Sequence, residues 1–388
     1  MTIKARQPFN FALFLFLYYA HAGAFASYVS LYFAAKGMSA PQVGVLMSCI
    51  PVMRMIGPNL WGAVADHSRQ SVLVLRWTAG AACLAFIGIL LGQGFAQFMA
   101  AMLLLNLFTS AQSPLSEALM LSEMQGDLSS YGRLRLWGSL GFVVAVMGTA
   151  ALLDAAGVQT LPMIAGVLLL GVLGASLRIR PVPPLMSAAP APPLMSVLRQ
   201  PAVIAFFAST ALMVAAHMAL YVYYSLYLET HGYSKTVIGA MWSLGVLAEI
   251  AFFYFQTPVL RRFGARRLML FACAVGALRF VLIGAAAQWL AVLVCAQLLH
   301  AATFAAHHSA CVLTMQRWFS GALQARGQAL YMSLAYGIGG TLGGLLMSLC
   351  WRQFGPQAVY FAAALLAGAA ALMAAHSFRV AARAPAPA

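Results

Sequence analysis

The stretch Ser225–Glu249, SLYLETHGYSKTVIGAMWSLGVLAE, has a degenerate copy 195 residues earlier, at Ser30–Arg54, which reads SLYFAAKGMSAPQVGVLMSCIPVMR. Without a gap, Ser30, Leu31, Tyr32, Gly37, Ser39 and Gly44 fall on Ser225, Leu226, Tyr227, Gly232, Ser234 and Gly239. The same offset carries Gly132 onto Gly327, far outside the window. A chain that repeats a unit of half its own length folds as two similar halves stacked from the same elements. The repeat breaks at one informative place: Arg54 in the first copy meets Glu249 in the second.

The repeated unit is apolar. Of 388 residues 63% are hydrophobic and 7% charged, against about 25% charged in soluble domains, so the chain belongs in a lipid bilayer. Apolar runs of the ~20 residues needed to cross ~30 Å of hydrocarbon are read near 8–34, 41–65, 72–92, 97–121, 132–154 and 159–178. Six more lie near 200–228, 235–258, 268–287, 290–315, 326–350 and 357–377. The expected fold is an all-α membrane protein of twelve transmembrane helices in two pseudo-symmetric six-helix halves. Residues 1–180 form the first half and 200–378 the second. Between them lies a proline-rich cytoplasmic linker at 181–199, and 379–388 is a tail.

The net charge of +15 suggests nucleic acid until the positions are considered. Seventeen of the 22 Lys and Arg fall at ends and loops that share one side of the membrane if the N-terminus is inside. Only Lys36, Lys235 and Arg352 fall on the other side, and Arg54 and Arg279 lie within spans. That asymmetry is the positive-inside pattern. It implies both termini in the cytoplasm, a bacterial cytoplasmic (inner) membrane and no nucleic-acid partner. Lys4 and Arg6 precede a first apolar run too long for a cleavable signal, so that run is a membrane span. The six cysteines show no CxxC spacing and are expected to pack as small apolar residues.

Ionisable residues inside spans cost ~2.5–3.5 kcal/mol each on insertion scales and mark functional interiors. Here they are Arg54 in the second span, Glu117 in the fourth, Glu249 in the eighth and Arg279 in the ninth, with His300 and His307 in the tenth. The pair Arg54 and Glu249 occupies equivalent positions in the two halves. Repeats of this kind mark secondary transporters, whose solute site lies between the repeats near the midplane. Glu249 is therefore expected to face the interior near Arg279 or His300. On an α-helix His300 and His307, seven apart, share a face, with His308 about 100° round. Their unperturbed titration near neutral pH suits proton handling, and no metal centre is expected of them.

SPLSEALMLSE followed by YGRLRLWGSLGF, then GALRFVLIG and QLLHAATFAAHH, together resemble the lactose-permease and phenylpropionate-permease branch of the major facilitator superfamily. The resemblance covers nearly the whole chain. It implies that Glu117 and Arg135 meet one another and contact solute, and that Arg279 and His300 belong to a substrate and proton network. The turn GAVADHSRQ resembles the superfamily's loop signature, with Ser68 where glycine is usual, which implies gating roles for Asp66 and Arg69. The lactose permease has a glutamate where this chain has Thr303 and a sugar-stacking tryptophan where it has Phe142, which turns the reading away from sugar.

P-loop, HExxH and GxSxG motifs are absent from the sequence, so no enzyme activity and no cofactor are expected. The reading is a monomeric alternating-access symporter of a small organic solute with a proton. An aromatic or other organic acid comes first, because Arg54 and Arg279 can pair with a carboxylate. A nucleoside or sugar permease is the alternative, and a transport-dead membrane sensor a more distant one.

Overall fold

The computed structural model describes residues 7–124, 128–182, 195–319 and 323–383. Residues 183–194 of the expected linker lie outside the described residues, as do Lys4, Arg6 and 384–388 of the expected tail. Eleven helices among the described residues are long and apolar enough to cross a membrane. One of them, Lys235–Ala286, has 52 residues, about 78 Å at 1.5 Å per residue, which is more than twice a bilayer core. It bends at Gly264, whose φ of 69° and ψ of 166° are not helical. Glycine alone adopts that conformation readily. Gly264 therefore divides this stretch into the eighth and ninth spans, which brings the described spanning stretches to twelve.

By their contacts the residues form two compact units, Met1–Ser187 with Gly232–Ser243, and Ala188–His231 with Leu244–Ala388. Within them the repeat is visible as chemistry. The turn after the first span closes on Gly37 at φ 84° and the turn after the seventh on Gly232 at φ 80°. Tyr32 donates its hydroxyl to the Ile89 carbonyl at 3.3 Å, and Tyr227 donates to the Gly284 carbonyl at 3.0 Å. Donor and acceptor are each displaced by 195 residues between the two bonds. Ser39, the N-cap of the second span, forms a capping box with Gln42, which satisfies donors that the first helical turn leaves open. Its counterpart Ser234 accepts from the Val237 amide at the start of the eighth span.

The tyrosines of the first and seventh spans are mostly packing residues: Tyr28, Tyr32, Tyr223, Tyr224 and Tyr227 are buried. In the second unit the helix of the eleventh span leans closely on the seventh. A Cβ added to Gly339 would come within 2.6 Å of the Ala211 carbonyl oxygen, so small residues on both sides set the approach. Two stretches there wind as π-helix, Ala301–Ala306 and Met332–Gly339. Such widened turns lie mostly at functional positions, because they rotate side chains away from the α-helical register.

Candidate functional site

The first unit holds a ring of four side chains. Arg135 donates to the Tyr19 hydroxyl at 2.7 Å, and its guanidinium lies 4.1 Å from the centre of that ring. The Tyr19 hydroxyl meets the Ser113 hydroxyl at 3.1 Å, and Ser113 donates to Glu117 at 3.0 Å. Arg135 Nε then closes the circuit on Glu117 Oε1 at 3.4 Å. First, fourth and fifth spans each contribute. Gly138 makes the approach possible, since a Cβ there would fall 2.6 Å from the Tyr19 ring and 2.9 Å from Arg135. Glu117 and Arg135 keep 30% and 33% of their side-chain surface open, so both can still reach a solute.

Arg54 is exposed and lies close enough to Tyr18 and Tyr19 to act on both electrostatically. Asp66 and Arg69 are exposed as well. Arg69 is the residue that turns left-handed, at φ 54°, where the second span ends.

In the second unit one charge is sealed. Arg279 has no exposed surface. It donates Nε to the Ala296 carbonyl at 2.7 Å, Nη1 to His300 Nδ1 at 2.7 Å and to Thr303 Oγ1 at 3.0 Å, and Nη2 to Gln297 Oε1 at 3.0 Å. Four of the five N–H donors that a guanidinium carries are thus engaged. His300 Nε2 lies 2.6 Å from Glu249 Oε1. A guanidinium cannot accept a hydrogen bond, so His300 Nδ1 is the acceptor and its proton sits on Nε2, pointing at the carboxylate. Gly245, one turn before Glu249, has the tenth span against it. A Cβ there would lie 3.1 Å from Gln297 Oε1 and 3.2 Å from the His300 ring.

His307 does not share His300's face. Phe304 stacks between His300 at 5.5 Å and His308 at 6.3 Å, so the residues in line are four apart, not seven. The cause is the π-helical Ala301–Ala306 stretch, which holds more residues per turn than an α-helix. His307 turns instead to Cys311, whose sulfur is 3.7 Å from its ring nitrogens.

Sequence reasoning passed over four contributors: Tyr19, Ser113, Gln297 and Thr303. Gln297 stands three before His300 in QLLH, and Ser113 four before Glu117. Both spacings place a polar partner on the same helix face and could have named them.

The chain matches the MFS_1 like family over residues 9–362. It is 29% identical over 334 residues to a probable 3-phenylpropionic acid transporter of Escherichia coli (strain K12), covering 84% of this chain and 86% of that protein. It is 34% identical over 145 residues to the maltose permease of Geobacillus stearothermophilus, 37% of each chain. Among solved structures, the nucleoside transporter NupG shares the fold at a TM-score of 0.79 and 16% identity, covering 96% of this chain and 98% of that one. Twelve spanning stretches, an internal repeat and a match running almost end to end establish that this chain is a membrane transporter of the MFS_1 like family.

Proposed function

We propose that the protein carries an aromatic or other organic acid together with a proton across the bacterial cytoplasmic membrane, as a monomer with both termini inside. The observation that carries this reading is the Glu249–His300–Arg279 arrangement. His300 is held neutral because its Nδ1 lone pair is occupied by Arg279. A second proton on His300 would break that bond. Glu249 has no such obstacle and takes the transported proton, its charge being matched by Arg279 when the proton leaves. Arg279 is enclosed and already satisfied, so the exposed Arg54, with the half-open Arg135 of the first unit, receives the solute's carboxylate, and Glu117 holds Arg135 until the solute takes its place. A guanidinium suits that task because it binds a carboxylate through two parallel hydrogen bonds. His307 supports the proton-handling side, and Asp66, in the last turn of the second span, and Arg69, at its C-cap, act in gating.

The 3-phenylpropionic acid transporter named above supports the choice of an aromatic acid, since the likeness runs over most of both chains. The maltose permease match favours a sugar as the second reading, though over 37% of the chain. Counterflow of labelled 3-phenylpropionate, maltose and a nucleoside into proteoliposomes separates them. Exchange of the acid, with uptake accelerated by an inward proton gradient, is the expected result. Exchange of maltose or nucleoside alone would replace the acid reading, and binding without exchange would make the protein a sensor. Arg54→Ala should lose acid binding, whereas Arg54→Lys keeps part of it because the charge remains without the two-pronged fork.

A further inference from the structure

Between the seventh, tenth and eleventh spans of the second unit lies a small cavity bounded by His217, Thr303, Phe304, His307 and Tyr336, among others. The room it leaves for water centres is about 10 Å³, roughly what one molecule needs. Both π-helical stretches contribute walls, Thr303 and Phe304 from one and Tyr336 from the other.

His217 gives this cavity a polar wall. It is 3% exposed. Its Nδ1 lies 2.8 Å from the Met213 carbonyl, one turn back on its own helix. A carbonyl only accepts, so Nδ1 carries the proton and Nε2 is a bare acceptor. That Nε2 is buried and has no hydrogen-bond partner among the described residues. The ring packs among Phe280, His300, Tyr221 and Phe304, at 5.5, 5.9, 6.2 and 6.4 Å between ring centres, and borders the cavity. An acceptor buried without a donor costs about 1–3 kcal/mol, and small polar cavities of this kind hold water while apolar ones stay dry.

We propose that one ordered water occupies this cavity, donating to His217 Nε2 and bound also to the Thr303 hydroxyl, and that His217 thereby acts as a positioning residue for the Arg279–His300 pair. Thr303 already accepts from Arg279 Nη1 at 3.0 Å and reaches the His300 carbonyl only at 3.4 Å. A water on the remaining side of that oxygen fixes the hydroxyl and, with it, the guanidinium arm that sets the His300 tautomer. His307, on the same wall, supplies a third polar neighbour. The water itself is independent of the proton-symport reading; its effect on transport rests on that reading.

The test is an experimental structure of the full chain in lipid nanodiscs at a resolution that shows waters, paired with transport by three variants. Density within ~3.2 Å of both His217 Nε2 and Thr303 Oγ1 is expected, and a cavity that is empty or filled by a protein side chain overturns the proposal. In proteoliposomes the ratio of gradient-driven 3-phenylpropionate uptake to its exchange should fall about tenfold in His217→Phe, which loses the acceptor, and stay within about twofold of wild type in His217→Gln, which keeps one. If His217→Phe does not fold, Thr303→Val removes the water's other partner and should lower the same ratio. An unchanged ratio in His217→Phe or Thr303→Val overturns the positioning role. A wild type with no gradient-driven uptake sinks the symport reading instead, and the density then decides the water alone.

Discussion

The two halves of this transporter share a frame and differ in how they treat charge. The frame repeats down to single hydrogen bonds, as Tyr32 to Ile89 and Tyr227 to Gly284 show. The polar groups do not repeat: no basic or acidic residue stands 195 positions from Glu117, Arg135 or Arg279. The first half holds its Glu117–Arg135 pair a third open and bridged by hydroxyls. The second encloses Arg279 completely and satisfies it with a carbonyl, an amide, a hydroxyl and an imidazole. A half-open pair can exchange its partners for a ligand at little cost. A sealed charge cannot, and is suited to holding another group's protonation state. The repeat supplies the scaffold, and divergence on it leaves one half with a partly open ion pair and the other with a fully enclosed cation.

The largest break in this comparison should come from Arg279→Gln. Removing the buried cation leaves the Ala296 carbonyl, Gln297, His300 and Thr303 without their shared partner, and such losses cost about 3–5 kcal/mol. A thermal unfolding series in detergent should show the variant as the least stable of the set; wild-type stability would mean the cluster is wet and open. Next comes Glu249→Gln, close in shape to the native residue. It should fold, abolish uptake driven by a proton gradient and leave counterflow of the acid measurable. Uptake at wild-type rates in that variant would remove Glu249 as the proton carrier.

Glu117→Gln and Arg135→Lys should move stability far less, about 0.2–1 kcal/mol, as expected for a partly exposed pair. Their effect should appear in the concentration dependence of exchange, where a weakened first-half site raises the half-saturating concentration of solute. A stability loss as large as that of Arg279→Gln would erase the distinction between the halves. The finest test uses the repeated frame: Tyr32→Phe and Tyr227→Phe each delete one hydrogen bond, worth about 0.5–1.5 kcal/mol. The two losses should agree within about a factor of two, since the bonds are copies. Unequal losses would locate where the frame itself has diverged.

Much of this was legible beforehand. The 195-residue offset and the spacing of apolar runs required two six-span halves, and the charges within spans singled out Arg54, Glu117, Glu249 and Arg279, because each of those features is local in the chain; Arg135 entered only through the family resemblance. What the linear pattern could not carry was depth and partner choice. It treated Arg54 and Arg279 as equivalent cations, yet one is exposed and the other wholly enclosed, a difference set by which helices pack over them. It placed His307 on the face of His300 by assuming 3.6 residues per turn, and a π-helical stretch brings His308 into line with His300 across Phe304 instead. It read eight and nine as separate helices, and the non-helical backbone at Gly264 does separate them. Sequence by itself determined the repeated frame and the identity of the charged groups, because hydrophobic length and residue type are properties of single segments. Which charge is sealed, which tautomer His300 holds and where a water fits were decided only by tertiary packing, because each depends on atoms brought together from spans far apart in the chain.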